Sequence, residues 1–81
     1  MNGGDRMLLR EFVIENHMIS LIQEGALYIA KVTNKSGKKL FCHEYKDYEI
    51  IKICFDEIVQ AINSDNVDIK DVIGILEKST T

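Results

Sequence analysis

The sequence predicts an α+β domain: a meander of three or four antiparallel strands, followed by two C-terminal helices packed on one face of the sheet. Three observations carry that reading. Between Met18 and Tyr45, apolar and polar residues alternate in three short runs separated by glycine-bearing turns. After Tyr45 the apolar period lengthens to that of a helix. The 81 residues, 46% hydrophobic and 28% charged, have the balance of one globular domain near the lower size limit for an unstapled core.

Residues 18–23 (MISLIQ) form the first clear strand and run into Glu24-Gly25, a tight-hairpin signal. Residues 26–33 (ALYIAKVT) follow, rich in β-branched and aromatic side chains. Asn34-Lys35-Ser36-Gly37 is a second turn, in which Gly37 is free to take positive φ. Residues 38–45 (KKLFCHEY) are the last strand of the meander. Upstream, residues 7–14 (MLLREFVI) fit either a fourth strand paired on the first or a short helix.

The first helix is expected over residues 48–63. With Ile51 at zero and 100° per residue, Phe55, Ile58 and Ile62 fall within about 40° of it, flanked by Cys54, Val59 and Ala61. Asp47 suits the N-cap, Glu49 the first turn, and Lys52 with Asp56 an i,i+4 pair. A break at Ser64-Asp65-Asn66 precedes a shorter helix capped by Asp68, with Ile69, Val72, Ile73 and Leu76 as its stripe and Gly74 on its polar side. Ile53 breaks the pattern, projecting about 200° from Ile51 into the charged face. The second helix is expected to fold back and cover it; the competing reading is an exposed apolar anchor for a partner.

Residues 1–6 are expected to be a flexible tail and residues 7–81 the domain. The opening MNGGDRM has no apolar h-region, so no secretory signal is expected, and no apolar run is long enough to span a membrane. With two cysteines only, the expectation is a cytoplasmic protein with free thiols. Charge is uneven. Up to His43, six basic residues against four acids give +2, whereas from Glu44 onward nine acids against four lysines give −5, for −3 in all. An acidic second half speaks to partners or to plain solubility rather than to fold.

The stretch KLFCHEYKDYEIIKICFDEI gathers both cysteines and one histidine. Cys42 and His43, adjacent in a strand, point to opposite faces, and no C-x2-C or H-x3-H pair exists, so neither a metal centre nor a cofactor is expected. Cys42 and Cys54 read as small core residues, and a helix after a strand can bring them close enough for a disulfide. The same separation of Cys42 from His43 removes a cysteine–histidine nucleophile, and no glycine-rich phosphate loop is present. No enzyme activity is expected.

The segment EYKDYEIIKICFDEIVQAI, residues 44–62, resembles a pattern in short uncharacterised proteins of Gram-positive bacteria and their prophages. There a meander ends in an aromatic residue (here Tyr45), a polar step follows (Lys46-Asp47) and an acidic helix begins (Glu49). The resemblance covers about half the chain and implies the meander-to-helix fold but no catalytic or binding residues. Ile50 departs from it, standing where such helices often carry an acid or alanine, and the second helix lies outside the pattern. In size and acidity the chain is also similar to small phage inhibitors of host defence, including anti-CRISPR proteins, which implies an acidic surface that occupies a nucleic-acid groove in a bacterial cytoplasm.

Three functions follow as expectations. The leading one is a protein-binding module, in its sharpest form an inhibitor of a host defence nucleoprotein, with Glu49, Asp56, Glu57, Asp65, Asp68 and Asp71 as its partner-binding face and Ile53 as an apolar anchor. The alternative is nucleic-acid binding, with Lys35, Lys38 and Lys39 at a hairpin tip and Tyr28, Phe41 and Tyr45 stacking bases, although the net negative charge opposes it. The third is a homodimer formed through the sheet edge or Ile53.

Overall fold

A computed structural model describes residues 6–65 and 67–79 of the chain. The α+β expectation holds in its four-stranded form. Strands β1 (Arg6–Ile14), β2 (His17–Glu24), β3 (Leu27–Thr33) and β4 (Lys39–Tyr45) form an antiparallel sheet in sequence order, followed by helices α1 (Tyr48–Asn63) and α2 (Ile69–Lys78). The ambiguous upstream segment is therefore a strand. It begins at Arg6, one residue inside the expected tail, and Arg6 pairs with Glu24 through both the ladder and an ion pair of 2.7 Å. Residues 1–5 lie outside the described residues.

Each hairpin uses a different local device. Glu15 and Asn16, with φ of 50° and 64°, connect β1 and β2 in the left-handed sense of a type I′ turn, which matches strand twist. Gly25, at φ 61°, opens the β2–β3 turn. In the third turn Asn34 accepts from the Ser36 and Lys38 amides through Oδ1 (2.9 Å each), and Gly37 takes φ 86°.

The register assigns side chains to the two faces. On the helix side stand Phe12 and Ile14, Ile19 and Leu21, Tyr28, Ala30 and Val32, and Phe41 and Tyr45. Ile51, Cys54, Phe55 and Ile58 from α1 and Val72 and Leu76 from α2 close onto them, as both helical periods require. Phe12 stacks on Phe55 at 6.3 Å and Tyr28 tilts against Tyr48 at 5.0 Å, so β1 and β3 are each tied to α1 by an aromatic pair. The shortest dimension of the molecule, 22 Å, accommodates one helical layer on one sheet and no third layer.

One expectation about cysteine is corrected: Cys42 is not a core residue, whereas Cys54 is. Cys42 lies opposite Lys31 on the outer face of the sheet and is exposed, because strand alternation gives the inner positions to Phe41, His43 and Tyr45. Cys54 is buried beneath α2, its thiol 3.9 Å from the Ile75 carbonyl. The sheet lies between the two thiols, so they are free rather than bridged.

Candidate functional site

Helix ends account for most of the acids expected to form a partner-binding face. Asp47 caps α1 by accepting the Glu49 amide at 3.0 Å, and Glu49 sits in the first turn where the helix dipole favours an acid. Asp68 and Asp71 form a capping box on α2: Asp68 Oδ1 accepts the Asp71 amide at 2.9 Å and Asp71 Oδ2 accepts the Asp68 amide at 3.3 Å. Asp65, at φ 58°, takes the left-handed position that ends α1, and its amide donates to the Ile62 carbonyl at 3.0 Å. Asp56 meets Lys52 at 3.2 Å and Arg10 at 3.7 Å, and Glu57 meets Lys78 at 3.9 Å.

These acids do not share one surface. Glu49 stands at the start of α1 and Asp65 beyond its end, about 24 Å of helix apart. Asp56 turns toward β1, whereas Glu57 turns toward the end of α2. Only Asp65, Asp68 and Asp71 converge, around a shallow depression at the junction of the helices that Val67 also lines.

The N-terminus of α2 has a further carboxylate that sequence reasoning missed. Glu15, in the β1–β2 turn, accepts the Ile69 amide through Oε1 at 2.7 Å. The contact joins residues 54 positions apart and has no local signature. Its only trace in the sequence is an acid at a turn position that asparagine or glycine would occupy more easily. Glu15, Asp68 and Asp71 together satisfy amide groups that a helix start otherwise leaves unpaired.

Ile53 is not covered by α2. It is 63% exposed and, with Ile50, Cys54 and Ile75, lines an open groove of about 320 Å³ between the outer sides of the two helices. The reason is geometric. The stripe of α2 is spent on the core through Val72 and Leu76, so α2 lies beside α1 on the sheet rather than over it. Glu57, Lys78 and Ser79 form the rim of the groove.

The aromatics of the nucleic-acid alternative belong to the helix side of the sheet. Tyr45 is buried, and Phe41 and Tyr28 pack against the core, so they do not make an open stacking platform. Lys35, Lys38 and Lys39 are exposed at the β3–β4 turn. Among the described residues no group of three or more histidine, cysteine or acidic side chains is placed to hold a metal ion, and no helix is long and apolar enough to cross a membrane.

No protein-family model, curated protein or solved structure matches the chain significantly, and the assignment of function rests on these residues alone.

Proposed function

We propose that the chain is a non-catalytic protein-binding module that docks a partner on the outer side of its helix pair. The observation that carries this reading is the exposed Ile53 side chain, which faces an open groove together with Ile50 and Ile75. An isoleucine on the solvent side of a helix otherwise rich in charge contributes nothing to the core, and side chains of its kind supply the desolvated centre of binding surfaces. The half of the chain that carries the groove has nine acids against four lysines, so the partner it fits is a basic protein surface with an apolar tip. In its sharper form the partner is a host nucleoprotein whose basic groove receives Asp65, Asp68 and Asp71, and the chain acts as its inhibitor. Nucleic-acid binding keeps only the three lysines of one turn in support, against a net charge of −3.

Ile53→Glu tests the reading. Because Ile53 is exposed, the variant is expected to melt within about 0.5 kcal/mol of the parent. A partner co-purified from the source cell, then titrated against pure chain, is expected to bind the variant at least ~10-fold more weakly. Asp65→Asn, which keeps the left-handed backbone, is expected to flatten the salt dependence of the same titration. Unchanged affinity in both variants would refute the proposal, as would duplex or single-stranded probes shifting at low salt with the parent's protein partner absent.

A further inference from the structure

We infer that α2 is a latch: it lifts as a unit while the sheet and α1 stay folded, and the helix groove exists only when it is seated. α2 has ten residues, too few to hold as a helix alone, and Gly74 in its middle lowers its propensity further. Its helical form therefore depends on what it docks against. Its buried side chains are Val72 and Leu76, whereas α1 buries Ile51, Cys54, Phe55 and Ile58. Side chains from distant segments hold its ends. Glu15 Oε1 accepts the Ile69 amide at 2.7 Å, and the Tyr45 hydroxyl donates to the Leu76 carbonyl at 3.2 Å. The four strands are bonded to one another in ladders, so lifting α2 breaks none of the hydrogen bonds between them. Such an element is the kind that opens by itself, well below the cost of global unfolding.

The groove gives this opening a consequence. Ile50, Ile53, Cys54 and Glu57 of α1 form one wall, and Ile75, Lys78 and Ser79 at the end of α2 form the other. The Glu57–Lys78 pair spans the rim at 3.9 Å, and Ser79 Oγ lies 3.2 Å from the Tyr45 hydroxyl. Lifting α2 therefore removes one wall. It also uncovers Cys54, which is 7% exposed, with its thiol 3.9 Å from the Ile75 carbonyl. A partner that touches both walls binds only the seated form and holds α2 down. Conversely, a loosened α2 raises the apparent Kd by the inverse of the seated fraction. This regulation rests on the docking role proposed for Ile53; the latch itself does not.

Hydrogen exchange and alkylation by iodoacetamide test the latch on the chain alone, with Cys42→Ser removing the exposed thiol. The amides of residues 73–78 are expected to share one protection factor, at least ~10-fold below that of the β2 and β3 amides. Cys54 alkylation is expected to follow the same opening, rising with urea along a slope under about half that of global unfolding. Tyr45→Phe removes one tie and is expected to speed alkylation about fivefold. Gly74→Ala, whose added Cβ meets nothing within 4 Å, is expected to slow it about threefold. Reagent reaching Cys54 through the groove with α2 seated would react at a rate that Gly74→Ala leaves unchanged, and that result overturns the inference. So does α2 exchange as slow as that of β2 and β3, with Cys54 reacting along the full unfolding slope. Ile53→Glu, at an exposed position outside the seat of α2, is expected to change neither readout. Because Ile53→Glu reads partner capture, while Tyr45→Phe and Gly74→Ala read the latch, either proposal can fail while the other stands.

Discussion

Tyr45 is the last residue of β4, and its ring is buried while its hydroxyl reaches the end of α2. It donates to the Leu76 carbonyl at 3.2 Å and lies 3.2 Å from Ser79 Oγ, which itself donates to Leu76 at 2.8 Å. Burial raises the Tyr45 pKa above its ordinary 10.0; the Ser79 hydrogen bond opposes the shift and Cys54 adds to it. A raised folded-state value means that the stabilising contribution is complete below pH 10.0 and is lost as pH rises through the folded value. Tyr45→Phe is expected to cost about 1 kcal/mol at neutral pH and to lose less stability than the parent above pH 10.0, as read from urea titrations across the alkaline range. A second prediction concerns Gly74, where an added Cβ meets nothing within 4 Å. Gly74→Ala is expected to raise stability by about 0.5–1 kcal/mol, visible as a higher Tm, because the helix gains propensity without a clash.

At the scale of elements, the start of α2 is held from two directions. The capping box is local, whereas Glu15 reaches in from the first hairpin and holds the Ile69 amide. Glu15 does so from positive φ, which disfavours a side chain with a Cβ. Glu15→Gly relieves that backbone cost and removes the contact, and the two effects offset each other to within about 1 kcal/mol. The discriminating measurement is hydrogen exchange: protection at Ile69 is expected to fall while the β1–β2 amides stay protected. Asp68→Ala, which breaks the box without touching the turn, is expected to cost about 1 kcal/mol. The helix boundaries were legible in the sequence because caps are local: Asp47 and Asp68 stand where their periodic stripes begin. The Glu15 contact was not, since nothing within either segment refers to the other.

At the scale of the whole molecule, one sheet and two helices share a single core on one side. Phe55, fully buried and stacked on Phe12, sits near its centre. Phe55→Ala is expected to remove about 3–5 kcal/mol, a large part of the ~4–12 kcal/mol available to a chain of this length. The variant is expected to show a broadened or absent melting transition and to bind a hydrophobic dye. The arrangement of helices on one side also decides what stays open: the groove at Ile50, Ile53 and Ile75, and the outer face of the sheet, where Leu8 and Val13 are exposed.

The sequence by itself determined every element but β1, because strand alternation, helical period, turn glycines and caps are each written within a few neighbouring residues, whereas the apolar pattern of residues 7–14 fits a strand and a short helix equally. It also placed Ile53 on the wrong side of α1, since an angle on a helix needs only the period. Tertiary structure decided what that angle meant. Whether α2 covers Ile53 depends on where the stripe of α2 is spent, and Val72 and Leu76 spend it on the sheet. The face on which Cys42 lies, the reach of Glu15 to Ile69 and the dispersal of the acids among helix ends were decided there too. Each depends on how distant segments are oriented toward one another, and packing, not local pattern, sets that orientation.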